Sequence, residues 1–383
     1  MRNLFRIGLY AVPLWVAPWY VHATEPVRDD RVTLTGSVQE QYDSNYTRTP
    51  EKNSEIITLS QLGLNLNETW SNQHLGFRWQ GTHFNFAKLF DENANLQTGS
   101  LDWQSLWPMG FKSSLSIKRD GYLADQLEFA GVDVAVQNLA VARVGYGFAD
   151  GWLFNLGARG LKQLHSNDAL QNSEYKESDG FAEVGYETSS GSSAIVRGRS
   201  GKRTYQEEDI QAIRDLNYDY TQAEVETKWI ISPKTDLSVL LAKYDRSGEI
   251  NNGTGTMASL EANWVPTEKI TVAMLYSLQH PAIGERTDGT AKAQTTSLSA
   301  QWLFSSKLTF ATRVSYSRSK YVSDFSVLER SEGLFSYSPL IVSYSPTDHW
   351  TIKLDSNWRK NNSPVTYRKY QSAEAALGIY FDY

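Results

Sequence analysis

Eight times along this chain an alternating run of apolar and polar residues closes on Trp or Tyr directly before a short turn, and a fresh alternating run leaves after it. Residues 261–276, EANWVPTEKITVAMLY, show the unit once. Ala262 and Trp264 share a face on the way in, and Ile270, Val272, Met274 and Tyr276 share one on the way out. Side chains alternate across a strand, so a sustained period of two means strands with one apolar and one polar face. Helical spacing is not sustained anywhere after residue 23. The fold class is all-β.

The aromatic residues before the turns are Trp70, Trp107, Tyr146, Tyr186, Trp229, Trp264, Trp302 and Tyr344, at spacings of 37, 39, 40, 43, 35, 38 and 42, with Tyr383 another 39 on. A propeller blade of that length would need four strands, and each period here holds two long ones. Two strands of roughly ten residues, a short turn at one end and a longer polar loop at the other form the hairpin of an outer-membrane barrel. Hydrocarbon offers no partner to an exposed sheet edge, so such strands must close on themselves. Trp and Tyr suit the headgroup level, where one side is apolar and the other wet. The aromatics before the turns, with Tyr383, therefore form the lower girdle. Trp79, Tyr276, Tyr316 and Trp358 are candidates for the upper rim. The expected architecture is a transmembrane antiparallel up-and-down β-barrel of about 18 strands, the first over 32–42 and the last over 371–383. A weak hairpin at 181–200 leaves sixteen as the alternative.

Arg2 and Arg6 precede an apolar run from Ile7 to Val21, and Val21-His22-Ala23 offers a small-residue cleavage site, so residues 1–23 read as a secretory signal. Residues 24–383 then form a single barrel domain. A balance of 37 basic and 43 acidic residues argues against a nucleic-acid partner, and the absence of Cys removes disulfides and thiolate metal sites. His22, His74, His83, His165, His280 and His349 show no metal-ligand spacing. No Gly-x-Ser-x-Gly elbow or Gly-rich phosphate loop occurs. No catalytic residue, metal or cofactor is expected.

Sixteen to eighteen strands enclose water. The polar faces supply candidate lumen-lining residues: Arg78, Lys112, Lys118, Arg159, Arg197, Arg199, Glu224, Glu226, Glu261, Arg313, Lys353, Asp355, Arg359 and Glu374. The third outer loop, about 119–138, is long and partly apolar. If it folds inward, Arg119, Asp120, Asp125, Glu128 and Asp133 line a constriction; the alternative is strands that run on beyond the membrane.

The segment NSEIITLSQLGLNLNETWSNQHLGFRWQGTHFNFAKLFDENANLQTGSLDWQSLW resembles the porin-like outer-membrane barrels of bacterial exopolysaccharide and capsule operons. A C-terminal strand ending in an aromatic resembles the signal read by the barrel-assembly machinery. The resemblance implies a passive conduit in the outer membrane of a Gram-negative bacterium, set among its lipid and lipopolysaccharide. It would pass a secreted polysaccharide delivered by a periplasmic polysaccharide export protein. The same architecture also serves a general or sugar-selective diffusion porin.

Overall fold

The computed structural model describes residues 31–89, 93–123, 133–147, 150–206, 215–285, 290–321 and 329–383. The expected signal at 1–23 lies outside the described residues. Eighteen strands make one sheet: β1 Val32–Asp43, β2 Glu55–Trp70, β3 Gln73–Phe86, β4 Ala94–Leu106, β5 Phe111–Leu123, β6 Val134–Gly147, β7 Gly151–His165, β8 Tyr175–Glu187 and β9 Ser193–Tyr205. Round the second half come β10 Tyr218–Ser232, β11 Thr235–Gly248, β12 Gly253–Thr267, β13 Ile270–Gln279, β14 Thr290–Leu303, β15 Leu308–Tyr321, β16 Arg330–Tyr344, β17 Trp350–Asn362 and β18 Tyr370–Asp382.

Each strand pairs antiparallel with its sequence neighbours, and β1 pairs with β18 from Thr35 opposite Asp382 to Asp43 opposite Glu374. The backbone of Leu34 and Tyr383 exchanges hydrogen bonds of 2.8 and 2.9 Å at that seam. The barrel is closed, and the count is eighteen. The hairpin that read weakly at 181–200 is regular β8–β9, in unbroken register from Tyr175–Tyr205 to Glu187–Ser193. Among several register shifts, the one in β16 lies between Tyr337 and Ile341, around Pro339. A residue without an N–H fits a bulge, where a ladder bond is lost anyway.

The burial pattern is inside out relative to a water-soluble protein. Leu62, Leu156, Val196 and Leu241 lie bare on the outer face, and Trp152 is 61% exposed. Buried positions are instead largely polar, among them Asp179, Glu183, Arg197, Arg199 and Glu224. That is the arrangement for lipid outside and water within. The pre-turn aromatics, Tyr383 included, are all exposed at the short-turn end. By the usual polarity of such barrels that end is periplasmic and the long loops are external.

Placing a charge on the lipid face at mid-strand should therefore cost far more than placing one inside. Leu241→Arg should destabilise the barrel by about 2–4 kcal/mol, whereas Ser259→Lys, on the opposite face of the neighbouring strand, should leave urea unfolding in bilayers nearly unchanged.

Candidate functional site

The inner face of β6–β10 carries one continuous ionic network. Near its lower end Glu183 accepts from Arg143 at 3.1 Å, Arg197 at 2.5 Å and Asn155 at 2.9 Å. Arg197 also pairs with Glu224 and, at 3.3 Å, with Glu226. Glu224 in turn holds Arg199 at 2.8 Å and accepts from Gln222 at 2.6 Å. One rung up, Asp179 receives Arg159 at 2.6 Å, and Arg159 also pairs with Glu177. The Tyr220 hydroxyl stands 2.9 Å from Glu177 and 3.0 Å from Asp179. Arg203 donates to Glu177 from Nε at 2.7 Å and reaches Glu285 at 3.1 Å. Phe181 lies between the Arg143 and Arg199 guanidiniums, 5.4 and 5.6 Å from its ring centre.

Partnership of this kind is what lets such charges be packed together. An ion taken out of bulk water costs several kcal/mol unless its partner and hydrogen bonds return it, and guanidinium–carboxylate forks do so with fixed geometry. Strand alternation places the groups: Glu177, Asp179, Phe181 and Glu183 sit at every second residue of β8, and Arg197, Arg199 and Arg203 on the same face of β9. The remaining wall is mostly hydroxyl and amide. Ser37 donates to Gln61 at 3.0 Å, Tyr380 to Gln39 at 2.7 Å and Ser336 to Asn357 at 2.8 Å, while Thr295 and Ser317 stand 2.9 Å apart. A smaller ionic group joins Lys353 to Asp355 at 3.7 Å and Arg359 to Glu374 at 3.1 Å.

Every candidate lumen residue stands on the face opposite the apolar belt. Arg78 is opposite Asn65, Lys112 opposite Gly145, Lys118 opposite Ser100, Glu261 opposite Ser238, and Arg313 opposite Ser299. The structure brings Arg159, Arg197, Arg199, Glu224 and Glu226 into the network. Arg143, Glu177, Asp179, Glu183, Arg203 and Glu285 complete it and are absent from the sequence-based set. Those on β8 sit in the hairpin that read weakly, although YKESDGFAEVGYE alternates as plainly as its neighbours.

The constriction residues fall out differently. β5 runs on to Leu123, so Arg119 and Asp120 belong to a strand and not to a loop. Arg119 shares its face with Leu115 and Ile117 and donates to Asn138 at 3.1 Å, so it points away from the lumen. Asp120 faces inward and pairs with Lys118 at 2.6 Å. Asp133 is fully buried and committed elsewhere: one oxygen meets His165 Nδ1 at 2.7 Å, and the other accepts the amides of Ser166 and Asn167 at 3.0 and 3.2 Å. Asp125 and Glu128 lie outside the described residues.

The segment that does turn inward is 280–285, which follows β13. Ala282 packs among Tyr175, Tyr205, Tyr218 and Tyr220, all inner-face residues of β8–β10. Asn251 clasps it, donating to the carbonyls of Leu216 and Ile283 at 2.8 and 3.1 Å and accepting the Ile283 amide at 2.7 Å. Tyr244 and Arg246 hold the His280 carbonyl at 2.8 and 2.9 Å. Gly284 has φ +83, a left-handed backbone that favours glycine, and a Cβ there would come within 2.9 Å of the Leu216 side chain, which would have to shift. Glu285 closes the clasp, taking the Ala282 amide at 2.7 Å and Arg203 at 3.1 Å. Burial alone would raise its carboxyl, but Arg203 and Arg246 outweigh that and hold it below the ordinary glutamate range.

No family model matches the chain, and no characterised protein matches it in sequence. Among solved structures it is similar to Pseudomonas aeruginosa OccK2 (OpdF), at 10% identity and a TM-score of 0.51, over 92% of this chain and 97% of that one. The outer membrane protein OprD of the same organism superposes at 12% identity and a TM-score of 0.49, over 92% of this chain and 94% of that one. The shared property is the fold, a closed eighteen-stranded porin barrel. With its apolar belt, this chain has the fold of an outer-membrane β-barrel.

A depressed carboxyl stabilises the fold above its unfolded pKa and loses that contribution as pH falls through its folded pKa. The Glu285 clasp is thus intact at neutral pH and released only in acid, below the usual glutamate range. Single-channel recordings should be quiet at neutral pH and grow noisy in acid, and Glu285→Gln should show the noise at neutral pH already.

Proposed function

We propose that this barrel is a diffusion channel for small, uncharged polar solutes, with carbohydrates the best fit. The observation that carries the reading is the pairing of charges within the wall. The arginines of β6–β9 are each met by carboxylates of the same face, so the wall presents hydrogen-bonding groups with little net field. Strong single-sign fields concentrate ions of the opposite sign, and this wall lacks one. Hydroxyl- and amide-bearing strands opposite can exchange hydrogen bonds with a hydrated sugar at little net cost, since each bond made replaces one to water.

The conduit for an exported polysaccharide, implied by the sequence resemblance, has less support. The inward segment 280–285 is tied to three other elements by the bonds of Asn251, Arg203, Tyr244 and Arg246. A continuous polymer would have to pass beside that anchored segment.

Planar-bilayer recording and liposome swelling test the proposal. Expected are a weak preference between potassium and chloride and swelling rates that fall with sugar size rather than with charge. Glu183→Gln combined with Glu224→Gln unmasks arginines and should make the channel anion-selective by several-fold. Strong ion selectivity in the unaltered protein would contradict the reading. Loss of surface polysaccharide on deleting the gene, with sugar swelling absent, would favour the conduit.

A further inference from the structure

The outer face of β5–β9 carries no carboxylate. Its only charges are Arg119, Lys162, Lys176 and Lys202, all near the loop end of their strands. Three of them share one rung: Arg119 is opposite Asn138, Asn138 opposite Lys162, and Lys162 opposite Lys176. Two lysines directly opposite on adjacent strands repel one another and cost stability. Among the described residues no carboxylate comes within ion-pair distance of either. Lys292 and Lys320 make a second such pair on β14 and β15, but there Glu329 answers Lys320 at 3.2 Å. The first pair has no such answer among the described residues.

Height along the barrel says what meets it. On β7 the outward residues from Trp152 to Gly160 are uncharged, and Lys162 follows. Ten residues at ~3.3 Å, on a strand tilted by ~40°, rise about 25 Å, the height of the apolar band. The lysines therefore stand at the outer headgroup level, where phosphates lie. Directly beneath them the surface is shallow. Ala142, Ala158 and Gly180 form one rung and Ala140 and Gly160 the next, and a Cβ on Gly160 would meet nothing within 4 Å.

We infer that this rung is a binding site for a phosphorylated glycolipid of the outer leaflet, with the phosphates on Arg119, Lys162 and Lys176 and an acyl chain in the small-residue recess below. The headgroup supplies the negative charge that the described residues do not. A cationic residue near an anionic membrane surface contributes enough that losing three should weaken retention by about a hundredfold.

The test is native mass spectrometry of the full barrel in detergent, titrated with diphosphoryl lipid A, with its dephosphorylated form and with inorganic phosphate. The unaltered protein should retain diphosphoryl lipid A and neither of the others. Arg119→Gln/Lys162→Gln/Lys176→Gln should weaken retention by about a hundredfold, while Lys292→Gln/Lys320→Gln should leave it unchanged. Gly160→Leu, which fills the recess and alters no charge, should weaken it by several-fold. Equal retention by the triple variant, or of the dephosphorylated lipid, would overturn the assignment, as would inorganic phosphate binding as tightly as the lipid. Should the triple variant fail to fold, the comparison of lipids on the unaltered barrel decides by itself.

Discussion

Hydrogen-bond closure is the constraint on which the rest depends. In hydrocarbon an unpaired backbone donor or acceptor costs several kcal/mol, and a sheet has two edges full of them. Pairing β1 with β18 removes both edges at once. Once the sheet is closed, every side chain has one of two destinations, and the period of two in the sequence decides which. The seam at Leu34 and Tyr383 thus governs lipid and lumen alike.

Closure leaves the interior with a problem of its own. A cylinder of eighteen strands has a polar inner face, and on β6–β10 that face is crowded with long charged side chains. The solution is mutual neutralisation: Arg197 is shared among Glu183, Glu224 and Glu226, and Arg203 bridges Glu177 to Glu285. The same residues stiffen one wall and anchor segment 280–285. On this account the network does two jobs, holding an inward loop in place and removing the net field that would select ions.

Alternation along strands is local, so the strand count, the lumen faces and the pre-turn aromatics could all be read from sequence. The inward segment and the partners of Asp133 depend on residues far along the chain. Segment 280–285 is held by Leu216, Asn251, Tyr244 and Arg203, from three other parts of the sequence, and nothing in PAIGE announces that meeting. Arg119 reads as loop only if β5 ends before it; β5 runs on to Leu123, and in a strand residue parity alone sends Arg119 outward. Nothing near Asp133 in sequence shows that His165 and two loop amides occupy it. The carboxylates of β8 are legible by spacing, but the outer face of that strand, with Ser178, Gly180 and Ala182, is poor in large apolar residues, so the hairpin reads weakly.

The central claim is that adjacent residues along any strand see lipid and water in turn. The chain has no Cys, so single cysteines can be placed without background. A scan of β12 from Met257 to Asn263 in bilayers, probed with a small, water-soluble, membrane-impermeant thiol reagent, reads the claim directly. Labelling should be fast at 257, 259, 261 and 263, with protection at 258, 260 and 262. Uniform labelling, uniform protection, or the opposite phase would contradict it.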